Sequence, residues 1–377
     1  MDRATAAWSR SLAEPPDWAA PFILKISRHY VLYGPMALLP STAYDALAHH
    51  NIPPAALAPA LLALYTLITH HLKITHIACT RPIPAQDSAH GTETKNILRA
   101  PRNFTPLFGD FGPATCANPP SREDFAAAFW VTAKQNGVYQ TWAPRWTMFS
   151  RGNVSEKARL VGLGSVGAVV EEGRGGGGRG SCAVDLYAGV GYFAFSFLRA
   201  GVGRVVCWDL SGWSCEGLVR GAGANGWGVR FVAGGEDFGE GLGDDEGVRV
   251  VVFNESNVHA PRRVREARGA LPPIRHVNCG LLPSSRASRG VAVEVLDPSA
   301  GGWIHVHENF AVGEIAHRAE EVRREVQLLV DFQQGEQERD VQARVVELEH
   351  VNRLKSYAPG VMHCVLDIYI PPSAPLY

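Results

Sequence analysis

The chain has 377 residues, 46% of them hydrophobic and 19% charged, with 36 Lys and Arg against 37 Asp and Glu. That apolar share excludes a disordered chain, and at roughly 100–200 residues per domain the length allows two or three domains with cores of their own. A formal net charge of -1 excludes a polybasic, histone-like protein, so any nucleic-acid partner would have to be met by a local patch.

Residues 1–120 read as an N-terminal α/β domain, rich in Pro, Ala and Leu, with short apolar runs at 31–40 and 73–80. No signal peptide is expected from Met1-Asp2-Arg3, which is no basic lead into an apolar stretch. The longest apolar run, Ala55 to Ile68, holds about 14 residues and contains Pro59, fewer than the roughly 20 of a bilayer span. It is expected to be a core helix of a soluble protein with no membrane contact. Asn118-Pro119-Pro120 punctuates the end of this part. Ser121 then reads as the N-cap of a helix with Glu123 and Asp124 in its first turn.

The second domain is expected over 121–377, with a Gly-rich insert at 171–181. Within it GRGGGGRG, at 173–180, cannot pack a core and reads as a surface loop. From Cys182 onward, β-branched runs alternate with helix-like segments: CAVDLYA, GRVVCWDL, VRFVAG, VRVVVFNE, IRHVNCG, GGWIHVHENF and HCVLDIYI. The longest helix is predicted over about 313–334. Such alternation predicts a mostly parallel, doubly wound sheet, and the fold class is α/β. The seven cysteines, at 79, 116, 182, 207, 215, 279 and 364, form no CxxC pair. Neither a zinc knuckle nor a disulfide framework is therefore expected, and the thiols read as reduced and intracellular.

The most informative stretch is 182–195, CAVDLYAGVGYFAF. A buried strand ends at Asp185, a tight turn holds Gly189 and Gly191, and an apolar helix begins near Tyr192. Glycines let backbone approach a ligand, and a helix start offers unpaired N–H groups. Gly189, Gly191 and Ala194 satisfy G-x-G-x-x-[GA], the fingerprint of a dinucleotide-binding turn. Two features turn the reading from NAD towards S-adenosylmethionine (SAM). Asp185 stands four residues before the first glycine, and Asp209 ends the next predicted strand, 24 residues on. A carboxylate at 209 can accept both hydroxyls of a ribose.

Here four ordered motifs carry a family resemblance: TMFSRGNVSEKARL (147–160), DLYAGVGYFAF (185–195), HVNCGLLPSS (276–285) and GGWIHVHENF (301–310). Together they resemble the tRNA aminocarboxypropyl transferases of wybutosine biosynthesis, relatives of the tRNA guanine-37 N1-methyltransferases. The resemblance covers roughly 20–370. It implies a Rossmann-like class I SAM-dependent transferase domain with a smaller N-terminal α/β domain facing tRNA. It also implies transfer of the 3-amino-3-carboxypropyl group from SAM to the tricyclic wyosine precursor at guanosine 37 of tRNA(Phe), with release of methylthioadenosine. The partner would be the anticodon stem-loop of tRNA(Phe), in the cytoplasm. The methyltransferase relatives carry Asn-Pro-Pro after their fourth strand; here that strand leads into GLLPSS, as in the aminocarboxypropyl transferases.

By motif, the resemblance places Ser150, Lys157, Asp185, Tyr187, Gly189 and Gly191 on SAM, with Lys157 suited to its carboxylate. Asp209 matches the ribose acid, where the family usually has the longer Glu. Glu236 and Asp237 fall where an Asp-Asn pair often meets adenine. Asn278 and Ser284 match positions that would hydrogen-bond the substrate base, and no general base stands out. His305 and His307 share one strand face, which reads as buried imidazoles rather than a metal site, and no metal is expected. The run Arg262 to Arg268 is a solvated helix face or a tRNA phosphate contact. Trp130, Tyr139, Trp142, Trp146 and Phe149 are core residues or a platform for a splayed base. Two other readings stay open: a guanine-37 methyltransferase, and a noncatalytic tRNA-binding scaffold of the same fold.

Overall fold

Alternating apolar strands and helices fold into two units in the computed structural model, which describes the chain except residues 13, 49, 51, 82–85, 88–93, 97, 99, 102, 176–179, 237–246, 268, 338–342 and 374–377. One unit comprises Met1–Ala133 with Thr141–Phe149, the other Lys134–Gln140 with Ser150–Tyr377.

In the first unit the elements run α1 (Asp2–Ser11), α2 (Ala19–His29), β1 (Val31–Tyr33), β2 (Met36–Pro40), α3 (Ser41–Ala48), α4 (Pro54–Leu72) and β3 (His76–Thr80). The two-residue strands β4 (Gln86–Asp87) and β5 (Thr94–Lys95), β6 (Phe104–Phe108) and α5 (Arg122–Ala127) follow. Among the described residues β1-β2-β3-β6 make a four-stranded sheet. Trp8, Phe22, Ile26, Leu39, Leu64 and Ile68 fill its core. Helix α4 extends beyond its apolar run at both ends, taking in Pro54 in its first turn, where proline is compatible with helix, and Thr69–Leu72 at its close. Over Ala55–Leu72 it is long and apolar enough to cross a membrane by length and composition, with 22% of that stretch buried. It is thus no fully buried core helix. One face packs, through Leu64, Tyr65 and Ile68, and the Trp8 indole donates to the Ala60 carbonyl at 2.9 Å.

The boundary expected at 120 falls instead within the hairpin β7 (Val131–Gln135) and β8 (Val138–Trp142). Pro119 and Pro120 mark only a turn. Ser121 forms a full capping box with Asp124 at the start of α5. The chain later returns so that Trp142 and Phe149 stack 4.3 Å apart, with Tyr33 edge-on to both.

The second unit continues with α6 (Val154–Val161), α7 (Gly164–Gly175), β9 (Cys182–Asp185), α8 (Ala194–Ala200), β10 (Arg204–Trp208) and α9 (Gly212–Ala224). Next come β11 (Gly228–Ala233), β12 (Val248–Asn254), α10 (Ala260–Glu266), β13 (Ile274–Cys279) and α11 (Arg289–Val295). The chain closes with β14 (Gly302–Ala311), α12 (Ile315–Gln337), β15 (Glu347–Ala358) and β16 (Val361–Ile370). Among the described residues they form an eight-stranded sheet ordered β11-β12-β10-β9-β13-β14-β16-β15. Its β11 to β14 part is parallel, and β16 and β15 join antiparallel. Both faces are covered, as a doubly wound sheet requires. Cys182 and Val184 enter one core with Val206 and Val277, while Ala183 enters the opposite core with Val205 and Val250. That split follows from the two-residue period of a strand. Helix α7 takes in the start of the Gly-rich insert and buries Val166, Val169 and Val170; residues 176–179 lie outside the described residues.

Candidate functional site

Strand β9 is central, and the order of chain connections reverses on its two sides, towards β10 and towards β13. Ligands of open α/β sheets bind at such a point, beyond the strands' carboxyl ends. There the chain leaves Asp185 and turns through Gly189 at φ +55° and Gly191 at φ +85°. A Cβ at Gly191 would lie 2.6 Å from the Phe195 ring, so only glycine fits. The loop is pinned from both flanks: Ala188 N–H donates to the Trp208 carbonyl and Leu186 N–H to the Asn278 carbonyl, each at 3.0 Å.

Asp185 and Asn278 stand side by side in the β9–β13 register, and both are fully buried. Asn278 Nδ2 donates to Asp185 Oδ1 at 3.0 Å, and the Tyr187 amide donates to the same oxygen at 3.3 Å. Among the described residues, Asp185 Oδ2 and Asn278 Oδ1 have no hydrogen-bond partner. Burial pushes the Asp185 carboxyl up to about 6, opposed by Asn278 and the nearby amides. Two buried acceptors without donors are costly in an empty fold and suit a ligand that brings a cation or N–H groups.

Asp209 follows β10. Its carboxylate accepts the Gly189 amide at 2.9 Å and the Ser211 amide at 2.8 Å. One lone pair on each oxygen is thereby used, and a carboxylate has others to offer. Burial raises its pKa, and the two amides oppose that rise. The shorter Asp thus ties the glycine loop to β10 while it keeps acceptor capacity.

Glu236 is placed differently from the expectation. It is exposed and follows β11, the edge strand, with β12 lying between β11 and β10. Its Oε2 accepts the Ala233 amide at 3.0 Å; Asp237 lies outside the described residues. The segment that reaches Asp209 and the glycine loop is the end of β12 and the residues that follow it. Asn254 Nδ2 donates to the Asp209 carbonyl at 3.0 Å, and Asn257 Nδ2 to the Leu186 carbonyl at 2.8 Å. Chain order misleads here, because β12 is later in sequence yet nearer the centre of the sheet.

Lys157, on α6, is buried rather than solvated. Its Nζ donates to Gln135 Oε1 at 2.6 Å and Gln140 Oε1 at 2.8 Å, and lies 5.5 Å from the centroid of the Tyr192 ring. Burial lowers its pKa to about 8. The Ser150 amide donates to the Tyr192 hydroxyl at 3.1 Å. Lys157, Ser150 and the glycine loop are therefore gathered around Tyr192. Ser284 belongs to a different network: its Oγ donates to Glu308 Oε1 at 2.9 Å, an oxygen that also accepts from the Ser285 amide at 3.1 Å and Arg289 at 2.5 Å. Gln135, Gln140 and Glu308 escape the sequence reading, since a polar residue in a strand gives no sign of what it faces.

The remaining candidates are structural. His305 Nδ1 sits 2.7 Å from Asp367 Oδ1, and its Nε2 3.1 Å from His276 Nδ1. His307 Nδ1 pairs with His363 Nε2 at 3.0 Å. Among the described residues no group of three or more His, Cys, Asp or Glu is placed to hold a metal. In the basic run Arg263 is buried and grips Glu255 with two bonds, at 2.9 and 2.8 Å, so it is neither a solvated nor a phosphate-binding arginine. Arg265 pairs with Glu294, and Arg268 lies outside the described residues.

No family model matches the chain. It is 36% identical over 347 residues to tRNA wybutosine-synthesizing protein 2 of Schizosaccharomyces pombe, covering 91% of this chain and 72% of that protein. It is 31% identical to the protein of that name from Saccharomyces cerevisiae, covering 78% and 60%. Among solved structures, Pyrococcus horikoshii TYW2 in complex with MeSAdo superposes with a TM-score of 0.59 at 15% identity, covering 98% of each chain. Trm5b from Pyrococcus abyssi reaches 0.54 at 14% identity, over 96% of this chain and 80% of that one. The chain thus shares its fold with both of these structures.

Proposed function

The chain belongs to the tRNA wybutosine-synthesizing protein 2 family, and from that membership we propose that it transfers the 3-amino-3-carboxypropyl group of SAM to the tricyclic wyosine precursor at guanosine 37 of tRNA(Phe). The observation that carries this reading is the 36% identity spread over 91% of the chain, which includes the strand that leads into GLLPSS instead of Asn-Pro-Pro. The partner is the anticodon stem-loop, the first unit faces tRNA, and the enzyme works in the cytoplasm.

The residues present suit SAM. Orphaned acceptors on Asp185 and Asn278 match an α-ammonium, Lys157 matches a carboxylate, and Asp209 matches a ribose diol. Gly189 and Gly191 keep the loop backbone bare, with Tyr187 and Ser150 beside it. For the adenine, the segment after β12, Glu255 to Asn257, is better placed than Glu236. SAM supplies a sulfonium whose γ-carbon accepts the attacking ring carbon: a C–C bond forms, the C–S bond breaks with its electron pair on sulfur, and methylthioadenosine leaves. The chain's task is orientation, because alignment of reacting atoms accounts for much of such a barrier. Asp185 and Asn278 fix the amino-acid end, so that the γ-carbon rather than the methyl faces the acceptor. Ser284, held by Glu308, borders the base, and the proton displaced from the attacked carbon passes to water.

The test is nucleoside analysis of tRNA(Phe) that carries the tricyclic precursor, after incubation with the chain and SAM. The aminocarboxypropyl adduct at position 37 is the expected product. An unchanged or a methylated nucleoside refutes the proposal.

A further inference from the structure

Gln140 has a side chain that the folded protein leaves half satisfied. It is 2% exposed, and its Oε1 accepts from the Lys157 ammonium at 2.8 Å. An ammonium only donates, so Lys157 dictates which end of the amide it meets. The Nε2 end is then left over, buried and, among the described residues, without a hydrogen-bond partner. The position is fixed from the neighbouring residue. Tyr139 N–H donates to Asn225 Oδ1 at 2.9 Å, and Asn225 Nδ2 donates back to the Tyr139 carbonyl at 2.7 Å. Gln140 therefore cannot swing out to water without breaking this clasp. Gln135 and Gln140 are neutral, so these two bonds orient the ammonium and bring no charge to it. A cation and an orphaned N–H2 side by side, in a site closed to water, call for an anion with acceptor oxygens.

We infer that Gln140 is a further binding residue of the donor site, its amide N–H2 and the Lys157 ammonium forming a two-donor subsite for the carboxylate at the α-amino-acid end of the donor. Gln135 is a positioning residue that holds the ammonium in place. The subsite rests on the SAM reading above and completes its polarity. Donors gather at Lys157 and Gln140, orphaned acceptors at Asp185 and Asn278, and the glycine loop that carries Tyr192 joins the two sets. A zwitterion has one charge for each.

The test is calorimetric titration of the full chain with two ligands, SAM and methylthioadenosine, the second of which has no amino-acid end. Gln140→Leu is expected to weaken SAM binding by about tenfold while methylthioadenosine stays within about twofold of the wild type. Gln140→Glu, nearly the same shape, gives Lys157 an internal carboxylate and is expected to produce the same selective loss. The inference is overturned if both variants bind SAM as the wild type does, or if Gln140→Glu loses the two ligands in parallel. Should Gln140→Leu fail to fold, Gln140→Glu alone decides. A wild-type chain that binds neither ligand overturns the donor site as a whole, and this subsite with it.

Discussion

Burial acts in opposite directions on the two charged residues at the ends of the site. It pushes the Asp185 carboxyl up to about 6 and the Lys157 ammonium down to about 8. Only between these values are both charged, as a zwitterionic ligand needs. SAM affinity, measured by titration from about pH 5 to about pH 9, is expected to be highest between about 6 and 8, and a flat profile would contradict the assignment. Stability changes differently. The folded chain keeps the Asp185 proton to a higher pH than the unfolded chain, whose carboxyl titrates near 3.8. The contribution of Asp185 to stability is therefore fully present below that value and is lost as pH climbs through about 6. Asp185→Asn removes that decline, worth about 3 kcal/mol. Denaturant midpoints of variant and wild type near pH 4 and near pH 7 measure it.

At the scale of elements, the glycine loop and the GLLPSS loop depend on different physics. Gly191 is fixed by backbone geometry: its positive φ and the Phe195 ring 2.6 Å from any Cβ leave no room. Gly191→Ala is expected to cost about 1–3 kcal/mol and to abolish SAM binding; calorimetry beside urea unfolding reads both effects. The GLLPSS loop is held by charge. Glu308, buried with Arg289, fastens Ser284 and Ser285 through one oxygen. Among the described residues, Glu308→Ala leaves Arg289 paired only with Glu325, partly exposed, and is expected to destabilise by about 3–5 kcal/mol. A loss below about 1 kcal/mol in urea unfolding would show that Glu308 does not hold the loop. Sequence pattern reached these elements unevenly. The strand-turn-helix at 182–195 was legible because its residues must satisfy one local geometry. The neighbour of β10 was not, since VRFVAG and VRVVVFNE have equal claims as strands and only the folded sheet shows which lies inside.

Over the whole molecule, the α/β class, the doubly wound sheet and the long helix near the C-terminus were readable from alternation alone. The division into units was not: it depends on Trp142 and Phe149 returning to Tyr33, a long-range contact that no local signal announces. The buried partners of Lys157 were hidden for the same reason, Gln135 and Gln140 being ordinary hairpin residues until α6 packs over them. What distinguishes this enzyme from a methyltransferase of the same fold is which carbon of SAM is delivered. The most direct measurement uses SAM labelled in separate samples at the methyl carbon and at the carboxyl carbon, incubated with the chain and precursor-bearing tRNA(Phe). Transfer from the γ-carbon puts the carboxyl label in tRNA and the methyl label in released methylthioadenosine. Methyl label in tRNA, with S-adenosylhomocysteine as by-product, would contradict it.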